Sequence, residues 1–355
     1  MSELGLNWVC ILISRAFVMF RKTFFVLTVF LLPLDSVLAQ SSNSASLPYT
    51  ELGFPDLQGY WTNASQTPLQ RSTALGEKRY YNLDEVREIE TAAVLRDQEK
   101  AAPLTAEREL PQRGGSIRFQ ADENFANTRI NLMQVNGEHR TSLLVDPKDG
   151  RLPYRQGWQQ NDFYGKWLAA GAGQFDGPEM RSPWERCFFV GGQLPPMIAW
   201  TYNANFQIVQ NKDYVMIMRE MAHDARIIRI NGQPFPDQLF QWSGNSVGHW
   251  ENDVLVVNSK GFHPQSSHLF IRSSDKLEIV ERFQLISDSE ILYQYTVTDP
   301  EIYARPFTVE MTLRRKAEGE TIYEYACHEG NYSLPSILAG ARREEVESLT
   351  NAMDD

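Results

Sequence analysis

The chain has 355 residues and a formal net charge of −11 at pH 7, and 42% of its residues are hydrophobic. This length allows one large domain or two small ones, each with a buried core. The acidic balance, with no basic run longer than residues 314–316, argues against a nucleic-acid partner, because a phosphate backbone requires a basic face.

The first 39 residues have the pattern of a cleavable export signal. Arg21 and Lys22 form its positive segment, residues 24–32 form its apolar core, and small residues up to Ala39 mark the cleavage position. A membrane anchor is the alternative, but charged residues interrupt the apolar run, and a bilayer span needs about 20 apolar residues. We therefore expect a periplasmic or secreted protein with no permanent membrane anchor.

Two cysteines, Cys187 and Cys327, follow the predicted signal. An even pair of cysteines in an exported chain indicates one disulfide, and two free thiols are the alternative. Closing so long a loop stabilises a fold by ~4–5 kcal/mol in the chain-entropy model. A disulfide also makes Cys327 a poor candidate for a nucleophile.

Residues 40–130 are expected to form a wrapping region with one helix over residues 84–100, where acidic residues fill the first turn. Residues 131–355 are expected to form a β domain. The Gly- and Pro-rich residues 150–200 predict long loops with a short helix. A C-terminal amphipathic helix is predicted from Pro335, with Leu349 among its packing positions.

From residue 205 onward, short β-branched and apolar runs alternate with turn signals, which is typical of antiparallel strands. The nine predicted strands are residues 206–210, 214–221, 225–230, 247–250, 254–258, 277–286, 291–298, 307–313 and 321–327. Tyr293 and Tyr295 share one face of their strand with Val297, and neither face is plainly solvated. A sheet closed on itself explains this pattern, so we predict a mainly β, antiparallel up-and-down barrel of calycin (lipocalin-like) type. An open two-sheet sandwich is the alternative.

Three of the six histidines lie at or near a predicted strand end beside a carboxylate. The pairs are His223 with Asp224, His249 with Glu251, and His328 with Glu329. If the three strand ends meet at one mouth of the barrel, they suit an acid/base site or a single divalent metal. Their spacing matches no zinc signature, however, and each histidine is also explained as a structural group.

The catalytic candidates are therefore His223 or His328 as a base and Asp224 or Glu329 as its orienting group, for hydrolysis, isomerisation or elimination. Arg226 is predicted to hold an anionic group of a small organic ligand. The other predicted ligand contacts are His249, Trp250, Glu251, Tyr293, Tyr295, Glu324 and Asn331. The competing interpretations are a barrel core for the aromatics, and a non-catalytic carrier or cell-envelope scaffold for the protein.

Several segments together resemble a large family of secreted bacterial proteins. They include PDLQGYWTN at residues 55–63, HDARII at 223–228, GHWENDVLVV at 248–257 and YEYACHEGN at 323–331. The resemblance covers nearly the whole chain after the signal and implies a single exported unit. It carries no reaction with it.

Overall fold

The computed structural model describes residues 47–100, 131–187, 195–236, 238–266 and 271–354. The predicted export signal lies outside the described residues. Residues from Ser46 to Asp355 form one compact unit. No helix in these described ranges is both long enough and apolar enough to cross a bilayer.

The unit is mainly β, with three α-helices among the described residues. In chain order the elements are β1 (Gly59–Thr62), α1 (Leu83–Lys100), β2 (Gln134–Val135), β3 (Glu138–His139), β4 (Leu144–Asp146), α2 (Phe163–Ala169), β5 (Asn205–Gln210), β6 (Tyr214–Arg219), β7 (Ala225–Ile230), β8 (Asn245–Glu251), β9 (Val254–Lys260), β10 (Glu278–Leu285), β11 (Glu290–Thr298), β12 (Phe307–Arg315) and α3 (Ser333–Asp354).

Nine of the described strands close into a barrel in the order β1-β5-β6-β7-β8-β9-β10-β11-β12, and β12 pairs with β1 to complete the ring. The closing register aligns Trp61 with Arg315. β4 pairs with the beginning of β12, at Thr308 and Val309. The prediction of a closed β-barrel of calycin type is confirmed.

The strands alternate between buried and less buried residues, as a half-buried sheet requires. In β11 the inward residues are Ile291, Tyr293, Tyr295 and Val297, all fully buried. The Phe283 ring packs at 4.8 Å from the Tyr293 ring. Burying a side chain of this size contributes roughly 1.5–3 kcal/mol, so the aromatic interior is a main source of stability.

The predicted strand at residues 321–327 is wrong, and β1 takes its place in the ring. The end of β12 already pairs with β1, so no free edge remains there for the following segment. Tyr323, in the middle of that segment, is 70% exposed. Glu324, a predicted ligand contact, therefore does not lie on a strand of the barrel.

One pair departs from the predicted antiparallel pattern, because β7 and β8 are parallel, with Ile228 opposite Ser246. The other pairs in the ring are antiparallel. Parallel neighbours need a crossover of a dozen or more residues, and residues 231–244 supply it. The Asn231-Gly232 pair opens this crossover.

The helices are close to their predicted positions. α1 begins one residue before the predicted start, and Asn82 caps it by accepting from the backbone amides of Asp84 and Glu85. α3 begins at Ser333, before Pro335. The predicted packing of Leu349 is wrong, since this side chain is 66% exposed.

Candidate functional site

A cleft of about 770 Å³ opens where β7 and β8 begin and where the 231–244 crossover passes them. It is lined by Cys187, Tyr214, residues 222–227, Arg229, Phe235, residues 240–246, Tyr325, Cys327 and His328. These residues come from the barrel, the crossover, the segment around Cys187 and the C-terminal tail (residues 316–354). The cleft therefore depends on segments far apart in the sequence.

The backbone is strained at the cleft. Ala222 and His223 are consecutive non-glycine residues with positive φ angles of 62° and 50°. Such conformations cost on the order of 1–3 kcal/mol each and concentrate at functional sites. Gly244, on the opposite wall, has a φ of 67°, and a Cβ atom there would lie 2.7 Å from the Phe262 ring. Only glycine fits this position without a shift of the ring.

The structure brings two of the three predicted histidines together and leaves the third apart. His223 and His328 both line the cleft. His249 lies four residues further along β8 than the cleft residue Asn245, and its Nε2 is 3.2 Å from Oε1 of Glu251. The predicted convergence of three histidines is wrong. An antiparallel β8 would end beside the start of β7, whereas the parallel β8 carries His249 toward the other end of the barrel.

Trp250 and Glu251 share the position of His249, away from the cleft. The Trp250 ring stacks on Phe54 at 5.1 Å between centroids. The Glu251 carboxylate forms an ion pair with Arg282, with 3.0 Å between Oε2 and Nη1. These contacts explain the two residues as parts of the surface at the end of β8.

Arg226 is inside the barrel, and its role differs from the predicted one. Its Nη1 donates to Glu281 at 2.9 Å, its Nη2 donates to the same carboxylate and to Ser259, and its Nε donates to Ser246 at 2.9 Å. The Tyr293 hydroxyl donates to Glu281 at 2.7 Å. The guanidinium is thus engaged by a protein carboxylate, so the prediction that it holds a ligand anion is wrong.

Tyr293 and Tyr295 are also interior residues, so the barrel-core interpretation applies to them. Burial raises the pKa of both phenols well above the ordinary value, with the charge of Glu281 adding to the effect. The Tyr293 hydroxyl accepts from the backbone amide of Met197 at 3.1 Å. These rings stabilise the interior and do not line the cleft.

The predicted disulfide between Cys187 and Cys327 is present, with Cα atoms 5.6 Å apart. It ties the C-terminal tail to the segment around Cys187, and it places His328 at the cleft. Asn331 reinforces this tie, since its Nδ2 donates to the backbone oxygen of Glu185 at 2.8 Å. Asn331 is therefore placed to hold the tail. Glu324 and Glu329 are exposed and do not line the cleft.

Aromatic and cationic groups form the walls of the cleft. The Trp242 ring stacks on His263 at 4.2 Å. Arg229 lies over the Phe235 ring at 3.7 Å, and its Nη2 donates to Asn245 at 2.6 Å. The walls therefore offer flat apolar surface beside a positive charge, which suits a ring-bearing ligand.

The stacked rings of Trp242 and His263 are expected to contribute to the loss of stability in acid. Burial, followed by the charge of Arg186, lowers the pKa of His263 below its ordinary value of 6.5. The folded protein therefore favours the neutral imidazole of His263. The contribution of this imidazole to the free energy of unfolding is complete above pH 6.5, and it is lost as the pH falls from 6.5 through the lowered pKa. We expect the melting temperature to fall over this interval, and less steeply in His263→Gln. Identical pH profiles for the two proteins would contradict this assignment.

The cleft is better arranged for binding than for proton transfer. Asp224 Oδ2 accepts from the Ser243 hydroxyl at 3.4 Å. Within the described residues, neither His223 nor His328 forms a hydrogen bond to a carboxylate through its imidazole. The same residues contain no group of three or more His, Cys, Asp or Glu side chains placed to hold a metal ion.

The sequence patterns did not single out Arg219, Arg229, Phe235 or Phe240. Arg219 lies on the inward face of β6 with Val215 and Ile217, so the alternation of that strand was the available signal. The crossover gave no such signal, because its role depends on which strands it joins.

Comparisons with protein-family models, with curated proteins and with solved structures find no match for this chain.

Proposed function

We propose that this protein is an exported β-barrel protein that binds a small, ring-bearing organic molecule in the cleft at the start of β7 and β8. The observation that carries the proposal is the cleft itself. Its volume of about 770 Å³ lies within the usual range for small-molecule sites, roughly 300–1,000 Å³. Its walls combine aromatic rings with a few polar groups, which is the usual composition of such sites.

Export is supported by two independent features. The Cys187–Cys327 disulfide fits an oxidising environment, because cytosolic proteins keep their thiols reduced. The expected signal at residues 1–39 directs the chain to such an environment. We propose a periplasmic or secreted location on this basis.

Acid/base catalysis by His223 or His328 is the second candidate function. The left-handed backbone at Ala222 and His223 favours it, because strain of this kind is retained where it positions a reacting group. Asp224 is adjacent in sequence but is bonded to Ser243, so it would have to turn toward the imidazole when a ligand enters. Hydrolysis, isomerisation and elimination all use such a pair. A carrier needs no titrating histidine, and this separates the two candidates.

A neutral fluorescent ring compound, N-phenyl-1-naphthylamine, tests binding in the cleft. We expect saturable binding by the wild-type protein and an affinity about tenfold lower in Trp242→Ala, because a central aromatic contact contributes of order 1–2 kcal/mol. Trp167→Ala is the matched control, since Trp167 is a partly exposed residue on α2 that does not line the cleft. Non-saturable binding, or equal losses in both variants, would remove the basis for this proposal.

A further inference from the structure

Arg219 is a buried cation with unused donors. It lies at the end of β6, faces the barrel interior and is 2% exposed. Its Nε and Nη1 atoms are fully enclosed and have no hydrogen-bond partner among the described residues. Enclosed guanidinium groups are normally paired, because burying an unpaired charge is costly.

The charges around Arg219 do not balance it. Arg226, its diagonal neighbour on β7, already occupies the Glu281 carboxylate through Nη1 and Nη2. The Glu281 carboxylate is thus paired with Arg226 and makes no hydrogen bond to Arg219. Burial and the like charge of Arg226 lower the pKa of Arg219 well below its ordinary value, and Asp224 opposes this most strongly. Asp224, however, makes no hydrogen bond to the guanidinium.

A second enclosed donor lies in the same interior. The Tyr295 hydroxyl has no hydrogen-bond partner among the described residues. Tyr295 is opposite Glu281 in the β10–β11 register, and the Glu281 charge acts on both Tyr295 and Arg219. The interior near Glu281 thus contains enclosed donors on Arg219 and Tyr295 that have no acceptor among the described residues. An oxyanion supplies what it lacks, since it offers several acceptor atoms and a negative charge.

The cleft leads to this part of the interior. The backbone amide of Arg219 donates to the carbonyl oxygen of Asp224, which lines the cleft. Arg226 and Ser246 also line the cleft, although both face inward and are buried. The floor of the cleft is therefore formed in part by sequence and strand neighbours of Arg219, whose own guanidinium is enclosed behind it.

We propose that the ligand of the cleft is a ring-bearing carboxylic acid whose carboxylate enters the mouth of the barrel and is bound by the guanidinium of Arg219. The inference rests on the proposed function, because the ring of this ligand occupies the cleft. The carboxylate supplies the acceptor that Arg219 lacks and brings the interior charge closer to balance. Arginine suits this role because its planar group matches a carboxylate.

Calorimetric titration with benzoate, acetate and benzyl alcohol tests the inference. We expect benzoate to bind the wild-type protein more tightly than either of the others, since only benzoate combines the ring with the carboxylate. In Arg219→Met, benzoate affinity is expected to fall about tenfold or more, because a charge-assisted hydrogen bond is lost, and benzyl alcohol affinity is expected to stay unchanged. If acetate binds as tightly as benzoate, the site binds a free anion, and the proposal that the ligand carries a ring is overturned.

Arg140→Met is the matched control. Arg140 is also buried with an enclosed Nε, but it pairs with Glu310 at 3.1 Å and has no backbone contact with a residue that lines the cleft. We expect it to keep benzoate affinity. If Arg219→Met does not fold, Arg219→Lys keeps the charge with a different donor geometry and is expected to weaken benzoate alone. Equal benzoate affinity in the wild type and the folded Arg219 variant would overturn the inference, while saturable N-phenyl-1-naphthylamine binding would still support the cleft.

Discussion

Replacing Glu281 by glutamine is expected to destabilise the fold by about 3–5 kcal/mol, or to prevent folding, because it removes the one carboxylate that pairs with Arg226 in the interior. Glu281 is 0% exposed and accepts from two nitrogens of Arg226 and from the Tyr293 hydroxyl. Without it, two buried guanidinium groups remain near each other with no counter-charge between them. Urea denaturation followed by circular dichroism measures the loss.

Glu278→Gln is the control for this variant. Glu278 is on the same strand but on the exposed face, so its replacement is expected to change stability by less than about 0.5 kcal/mol. The double variant Glu281→Met with Arg226→Met is expected to recover much of the loss, because apolar residues of similar volume remove both charges together. A loss below about 1 kcal/mol in Glu281→Gln would show that the interior ion pair is not needed.

Removing the disulfide is expected to free the C-terminal tail and leave the barrel folded. The cysteines are 140 residues apart, and the chain-entropy model gives ~4–5 kcal/mol for such a loop. That figure requires both ends to belong to one cooperative unit. The tail does not meet this condition, since Tyr323 and Tyr332 are 70% and 78% exposed. The barrel is therefore expected to lose only about 1 kcal/mol.

The cleft is expected to lose much more than the barrel. In the Cys187→Ser, Cys327→Ser double variant, Tyr325 and His328 are no longer fixed at the cleft wall. We expect weaker binding of N-phenyl-1-naphthylamine and rapid chymotryptic cleavage at the tail tyrosines. Wild-type protein treated with a reducing agent should behave in the same way. An unchanged cleavage rate, or a loss of barrel stability near the full chain-entropy value, would show that the tail and barrel unfold together.

Much of the barrel could be predicted because strands with one buried face carry a period-two pattern. β10, β11 and β12 each show it over eight or nine residues. β1 was missed because four residues are too few to display a period. Residues 321–327 were over-predicted for the opposite reason, since their composition suits a strand but the edge they needed is occupied by β1.

The candidate site was predictable only in part. His223 and Asp224 were found because they lie between β6 and β7, where loops meet at one end of a barrel. His328 was found from a predicted strand that is absent, and the adjacent disulfide places it at the cleft. His249 was misplaced because local sequence does not state the direction of β8 relative to β7. Arg219 was not identified because its environment depends on contacts between strands that are distant in the sequence. One of these contacts is the pairing of Arg226 with Glu281.

The presence of a parallel pair in the barrel follows from the number of strands in the ring. Each antiparallel neighbour reverses the strand direction, so a closed ring must contain an even number of antiparallel pairs. A ring of nine strands cannot meet this condition with antiparallel pairs alone, and one parallel pair restores it. That pair requires a crossover, and the crossover of residues 231–244 builds a wall of the cleft. The odd number of strands thus requires a break in the alternation of strand direction, and the proposed binding site lies at that break.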